Sequence, residues 1–457
     1  MRIRKYDFNY GRRELLARGG AMVGAGLLAP MWPLVAKGAD ISKAYPDELL
    51  SVDAYTKGAI KTGDTVDANN VDHVKNLLTP VQYMQVKTMG RRFKIVPTTT
   101  DVSKLFPHAY LDATLRNTGK SKLDADGNVW TTDGKPWIGG LPFPDPKSAL
   151  EAFANLTLSW GRHDNAVYAI QDHDLDEYGN VNYAYEFAWI EEQVACRLGG
   201  IGPYGGSEHA DRLRYQTVLF TGPSDVKGTA YLNSWYYDQR KYPDLIGYVP
   251  AFKRVRKFPT NQRFEPLVAG MTLYLSDAWA AGDPALTWGN YRVVGRTSML
   301  SGVSDNWHGD LDNWVAPTHG GPKGLTFFEY NMQMVPEAII VEAEPTGYPR
   351  APVGKKRVWL DTRNLQVVGY ETYDRRGASL KSFEPSWGQH VKGDLIETEN
   401  DGSPVWTWRQ VMSHDVQTNR MTRFTQTKEM DGIKSSRKTE GLYEKYLTAQ
   451  AIGRLGT

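Results

Sequence analysis

The sequence predicts a mainly β protein with a few helices, in which a helix-bearing N-terminal region packs on one long curved antiparallel sheet. From Asn165 onward, apolar and polar residues alternate with a period of two through many short segments, the pattern of strands with one buried face. Those segments are punctuated by turn chemistry, and the chain holds 44 Gly and 25 Pro. Its aromatic residues include 14 Trp and 25 Tyr, side chains that suit pleated, half-buried surfaces. At 457 residues and 41% hydrophobic, the chain can bury a substantial core, as one large sheet with insertions or as two lobes.

Residues 1–38 read as an export signal. They carry seven cations (Arg2, Arg4, Lys5, Arg12, Arg13, Arg18, Lys37) against Asp7 and Glu14. Arg12 and Arg13 are followed by Leu15, Leu16 and a weakly apolar Gly/Ala-rich stretch, which resembles a twin-arginine leader; Gly11 and Ala17 stand where Ser or Thr and Lys are usual. Arg18, Pro30 and Pro33 keep the uninterrupted apolar run well below the roughly 18 residues of a spanning helix. An amphipathic helix starting at Arg12 is the plain alternative, and Ala36 and Gly38 offer a small-x-small cleavage site. The remaining 39–457 are expected to form a single domain, since no repeat or low-complexity linker divides them. Removing the leader's +5 from the net +2 leaves about −3, so no basic footprint for nucleic acid remains. With Cys196 as its one cysteine, the chain can form no internal disulfide and has no lipid-attachment site near the leader. A soluble periplasmic protein is the expectation.

The helices come first. In NLLTPVQYMQVKTMG, Thr79 and Gln82 make a capping box, Pro80 takes the first helical position and Gly90 closes the helix. Val71, Val74, Leu77 and Leu78 before it have helical spacing. In DPKSALEAFANLTL, Asp145 is the expected cap and Pro146 the start, with Ala149, Leu150, Phe153 and Ala154 on one side. EKYLTAQAIGRL reads as a short C-terminal helix. Between these lie the strands: VYAI, YAYEFAWI, RYQTVLF, TAYLNSWYYD, GYVPAFKRVRKF, MTLYLSDAW, NYRVVGRTSML, EAIIVEAE, RVWLD, QVVGYETYD, SLKSFE, PVWTWRQVMSHD and RMTRFTQT.

Most chemical motifs fail on context. GGIGPYGG places Gly200, Gly202 and Gly205 in a G-x-G-x-x-G pattern, but Pro203 interrupts it and no clear strand precedes it. LDADGNVW and DHDLDEYGN resemble calcium loops through Asp124, Asp126, Asn128 and Asp172, Asp174, Asp176. Each lacks the turn glycine and the terminal Glu, so both read as solvated turns. His163 and His173, near Asp164 and Asp172, have no metal or nucleophile motif around them. No catalytic residue, metal ligand or cofactor is assigned. YVPAFKRVRKFP does stand out: Phe252, Arg254, Arg256 and Phe258 fall on one face of a strand and Lys253, Val255 and Lys257 on the other. Such a strand is either an edge guarded by charge or a cationic rim for an anionic group.

WYYDQRKYPDLIGYVPAFKRVRKFP, preceded by GLPFPDPKSALEAFANL and followed by RVWLDTRNLQVVGYETYDRRGASLKSFE, resembles the bacterial domain-of-unknown-function family 1329, often described as outer-membrane lipoprotein-sorting-like. The likeness runs from about residue 45 to about 450, with Tyr248 to Arg256 its most specific part. It implies a fold similar to periplasmic lipoprotein carriers and receptors, an incomplete antiparallel barrel whose concave apolar face is covered by helices. It carries over no catalytic residues. The function it implies is a carrier or receptor for a lipid, acyl chain or lipoprotein; a periplasmic metal-dependent hydrolase or glycan-binding protein is the alternative, and a structural envelope protein a third. Expected partners are a hydrophobic small molecule or lipid and an outer-membrane or efflux-system protein, with peripheral membrane contact and no nucleic acid. Trp235, Tyr237, Phe252 and Val255 are expected near the cavity or its rim, and Arg254 and Arg256 against an anionic group.

Overall fold

The computed structural model describes residues 45–199 and 206–456; the leader and the motif glycines Gly200, Gly202 and Gly205 lie outside the described residues. Two antiparallel meanders make the sheet. The first is β1 Asn165–Leu175, β2 Val181–Gln193, β3 Arg212–Gly222, β4 Ala230–Tyr236, β5 Asp244–Val249 and β6 Arg254–Lys257. The second is β7 Gly289–Ser301, β8 Asn331–Glu344, β9 Val353–Asp361, β10 Val367–Asp374, β11 Ser379–Gln389, β12 Trp406–Asp415 and β13 Arg420–Thr427. β13 pairs with β1, so the meanders fuse into one sheet with β6 at one end and, at the other, β8 with its partners β7 and the short strands Phe93–Ile95 and Thr65–Val66. Those ends do not pair with each other, and the sheet stays open. Phe93–Ile95 joins β8 in parallel (Asn331 opposite Lys94), which makes the sheet mixed.

Curvature shows in what the inner face shares. The Trp279 ring lies 6.4 Å from Trp189 on β2 and 5.9 Å from Phe383 on β11. Four steps separate those strands, roughly 19 Å in a flat sheet at about 4.8 Å per step. One aromatic residue can touch both only because the sheet curls around it. The largest apolar cluster fills this concave side with residues from both meanders. A second cluster lies on the opposite face, where Tyr215, Ile190 and Leu232 meet the C-terminal helices.

Among the described residues, the short helices Asp47–Leu50 and Val52–Thr56 come first, and five more cover parts of the sheet: α1 Pro80–Met89, α2 His108–Asn117, α3 Ala149–Thr157, α4 Leu442–Tyr446 and α5 Ala449–Leu455. α1 starts and stops as its residues predict, with the Thr79–Gln82 capping box formed and Gly90 left-handed at φ 72. α3 starts later than expected: Ser148 caps it and Glu151 reciprocates, so two orphan N–H groups are satisfied three residues beyond Asp145. The C-terminal helix is split in two, because the Thr448 side chain accepts from Ala451 N and begins a second helix. Val71–Leu77 winds as a 3₁₀ helix, and α2 was not anticipated.

Two strand expectations need correcting. GYVPAFKRVRKF is not one strand: Pro250–Phe252 forms a 3₁₀ turn and Lys253 is left-handed at φ 49, so β6 folds back on β5. Pro250 has no N–H to offer a ladder, which favours a break there. MTLYLSDAW is not a ladder strand either. Its apolar residues face inward at every second position, but the segment runs over the inner face, and Leu275–Ala280 coils into 3₁₀ geometry. Alternation reports one buried side, not a hydrogen-bonded neighbour.

Candidate functional site

The topology forces one connection across the hollow of the sheet. β6 and β7 are successive strands placed at opposite ends, so residues 258–288 must travel from one edge to the other. This strap passes over the concave face and buries Met271, Leu273, Leu275, Ala278, Trp279, Ala280 and Ala281 in the main cluster. α3 packs on the same cluster through Ala152 and Phe153, and α2 through Tyr110 and Leu111.

The interior is almost solid. Strap residues Leu267, Met271, Leu273 and Trp279 and sheet residues such as Ile170, Phe187, Val218 and Phe424 enclose a cavity of about 20 Å³, and every side chain lining it is apolar. That is room for a water or two, not for an acyl chain. The protein's own strap occupies the space that the sequence reading left for a guest.

Polar tethers from the sheet hold the strap. Lys381, on β11, forms a buried ion pair with Asp277 at 3.3 Å and donates to the Thr272 carbonyl. Tyr370, on β10, donates to Asp277 Oδ1 at 3.1 Å. Lys356, on β9, donates to the Ala280 carbonyl at 3.0 Å, and its ammonium lies 4.1 Å from the rings of Phe153 and Trp288. Trp160 Nε1 donates to the Ala281 carbonyl at 3.0 Å. Arg263 pairs with Asp283 at 2.5 Å and reaches Asn233 of β4 at 2.8 Å. Trp279 and Ala280 sit at φ 53 and φ 60, a region costly for residues with a side chain. These contacts, rather than a β ladder, keep the segment in place.

Burial pushes Lys356 from its ordinary 10.5 down to about 7, partly offset by Asp283 and Asp277. The unfolded chain then binds more protons than the folded one between about 7 and 10.5, so stability rises with pH across that window and is independent of this group below it. Replacing Lys356 with Met should abolish that rise, measured as urea midpoints at the two ends of the window.

The expected site residues fall in three places. Trp235 is fully buried in the concave cluster, 5.1 Å and edge-on to Trp160, with the Arg214 guanidinium 4.4 Å from its ring. Tyr237 accepts from Trp137 N at 2.7 Å and donates to Val129 O at 2.5 Å, anchoring an outer hairpin. Both are wall residues and neither lines the cavity. Phe252 is half exposed at the β5–β6 turn, with the Arg256 guanidinium 4.1 Å from its ring. Val255 packs on the convex face with Tyr248, opposite it in register, and the C-terminal helices. Arg254 and Arg256 are exposed, and strand parity turns them to the same side as Phe258, whose ring packs on Tyr231 of the concave cluster at 5.6 Å. The structure therefore brings the two arginines to the rim of the trough and separates Val255 from them.

The acidic motifs also separate. Asp124 accepts from Asp126 N, Asn128 N and Trp130 Nε1, and Asp176 from Tyr178 N and Asn180 N, so both organise turns. Asp172 and Asp174, read as part of a solvated turn, are buried on β1 instead. His163 is buried with a ring nitrogen 3.0 Å from Trp406 O. Sequence reasoning missed the strap and its tethers, although a signal existed: Lys356 shares its alternating face with Val358 and Leu360, and Lys381 with Phe383. A cation at an inward position needs a buried partner.

The family model described as "Protein of unknown function (DUF1329)" matches residues 65–453. An uncharacterized protein of Pseudomonas aeruginosa is 27% identical over 214 residues, which are 47% of this chain and 45% of that protein's length. Among solved structures, a DUF1329 family protein from Desulfovibrio piger aligns at TM-score 0.42 and 15% identity, over 66% of this chain and 95% of its own. A LolA superfamily protein from Nitrosomonas europaea aligns at TM-score 0.35 and 11% identity, over 62% of this chain and 96% of its own.

Proposed function

The chain belongs to the DUF1329 family of proteins of unknown function, and from that premise we propose that it is a periplasmic carrier or receptor holding an apolar guest between the curved sheet and the strap. The observation that carries this reading is the construction of the interior: an apolar trough filled by an irregular connection that leans on tethers and not on strand pairing. Such a segment can lift without breaking the sheet. A guest of about sixteen carbons would contribute roughly 12 kcal/mol if each methylene replaced strap contacts at about 0.8 kcal/mol. Association costs of some 4–15 kcal/mol and the loss of the strap's own burial bring that down to reversible binding, which a carrier requires. No helix among the described residues is long and apolar enough to cross a membrane.

The test is to lock the strap. Thr272 N lies 2.7 Å from Thr422 Oγ1 on β13, so Thr272→Cys with Thr422→Cys, in a Cys196→Ser background, places two thiols across the strap–sheet contact. Uptake of a fluorescent fatty acid should be lost in the oxidised protein and return with dithiothreitol. Equal uptake in both states would refute a strap-gated interior.

Arg254 and Arg256, at the rim with no carboxylate bonded to them among the described residues, fit an anionic membrane or partner surface during transfer. The double substitution Arg254→Gln, Arg256→Gln should weaken binding to vesicles containing phosphatidylglycerol several-fold at low salt and leave binding to phosphatidylcholine vesicles unchanged. Unaltered binding to both would remove the arginines from the docking surface.

A further inference from the structure

The concave face has one group that neither packing nor the tethers explain. Asp172 and Asp174 are two residues apart on β1 and point to the same side as Ile170, a cavity-lining residue. In register beside Asp172 stand Tyr185 and Phe424, both in the concave cluster. Both carboxylates are buried, at 0% and 1% exposure. Neither Asp172 oxygen, nor Asp174 Oδ2, has a well-formed hydrogen bond among the described residues, although the His173 backbone N–H lies close enough to Asp172 to act on it. Asp174 Oδ1 accepts from Thr422, whose Oγ1 in turn accepts from Thr272 N of the strap, so the pair lies just under the segment proposed to lift.

Leaving carboxylate oxygens buried without donors is costly, and an interior built only for packing would place apolar residues there. Resting on the carrier reading, we infer that the Asp172/Asp174 pair receives the protonated amine of an amphiphilic guest whose apolar part occupies the adjoining cavity once the strap lifts. Two residues of strand span roughly 6.6 Å, so Asp172 lies about one short alkyl segment from the cavity wall at Ile170. An ammonium offers three donors, matching the three unfilled acceptors. Burial pushes both carboxyls upward, Asp174 to about 7, in keeping with a site whose charge has no partner. Arg423 and Arg420 act on these carboxyls only through the field and form no ion pair with them among the described residues.

The test uses three probes of equal chain length on the full mature protein: dodecylamine, dodecanol and dodecanoate, titrated below their micelle concentrations and followed by calorimetry. Dodecylamine should bind about ten-fold or more tightly than dodecanol, with dodecanoate weakest. The preference for amine over alcohol should vanish in the Asp172→Asn, Asp174→Asn protein while dodecanol binding is retained, which also shows that the variant is folded. If the three probes bind wild type equally, or if the preference survives the double substitution, the acidic pair is not the head-group site although the carrier reading stands. If none binds, both fall.

Discussion

Replacing Asp277 with Ala should lower the unfolding free energy by about 3–5 kcal/mol, because it strands Lys381 in the core. The Lys381 side chain is 3% exposed, its ammonium has the Asp277 carboxylate at 3.3 Å, and burial already draws its pKa downward against the pull of that carboxylate. Asp277 does more than neutralise it. Its Oδ2 accepts from Tyr274 N at 3.0 Å, capping the strap's own turn, and its Oδ1 accepts from Tyr370. Removing the partner of a buried charge costs more than removing both, so Asp277→Ala with Lys381→Met should recover much of the loss. Urea midpoints of the two singles and the double measure the coupling. Additive effects would mean that the pair does not anchor the strap.

Trp279→Ala should destabilise the fold by a similar amount, about 3–5 kcal/mol, and at the same time open the interior. The indole is 5.1 Å from Trp387, 5.3 Å from Trp408 and 5.9 Å from Phe383, so it is the common neighbour of the aromatic layer. Its loss enlarges an existing cavity whose lining is apolar, and such cavities stay dry and accept small apolar molecules. Indole added to the variant should raise its melting temperature and leave the wild type unmoved. If indole raises neither, the strap has collapsed into the gap, and the space beneath it is not available to a guest. The left-handed backbone at this position disfavours any side chain, so Trp279→Gly should lose less than the removed ring alone predicts.

Local chemistry was legible wherever a residue acts on near neighbours in the chain. Thr79 and Gln82 close their capping box within one turn, and Asp374 to Gly377 turns the chain between the expected strands QVVGYETYD and SLKSFE, with Gly377 N bonded to Asp374 O at 3.0 Å. RVWLD, QVVGYETYD and SLKSFE became β9, β10 and β11, because alternation marks which side of a strand is buried. Arg254 and Arg256 share one side of β6 by strand alternation, whereas Phe252, expected on that same face, falls in the turn before it. Val255, expected near the cavity or its rim, packs on the convex face instead, because it meets the C-terminal helices some two hundred residues away in sequence.

By itself, then, the sequence determined most of the strands, their buried sides, the start of α1 with its own cap, and the family to which the chain belongs. Only the tertiary structure decided what fills the trough. MTLYLSDAW has the same alternation as a ladder strand, and nothing in it states that β6 and β7 will end at opposite edges of one sheet. Once β13 pairs with β1, those edges are far apart in strand order and the connection between them must cross the hollow. The partners that make Lys356, Lys381, Asp172 and Asp174 tolerable or unsatisfied are chosen by that crossing, because the cost of a buried charge is set by what folds against it and not by its neighbours in the chain.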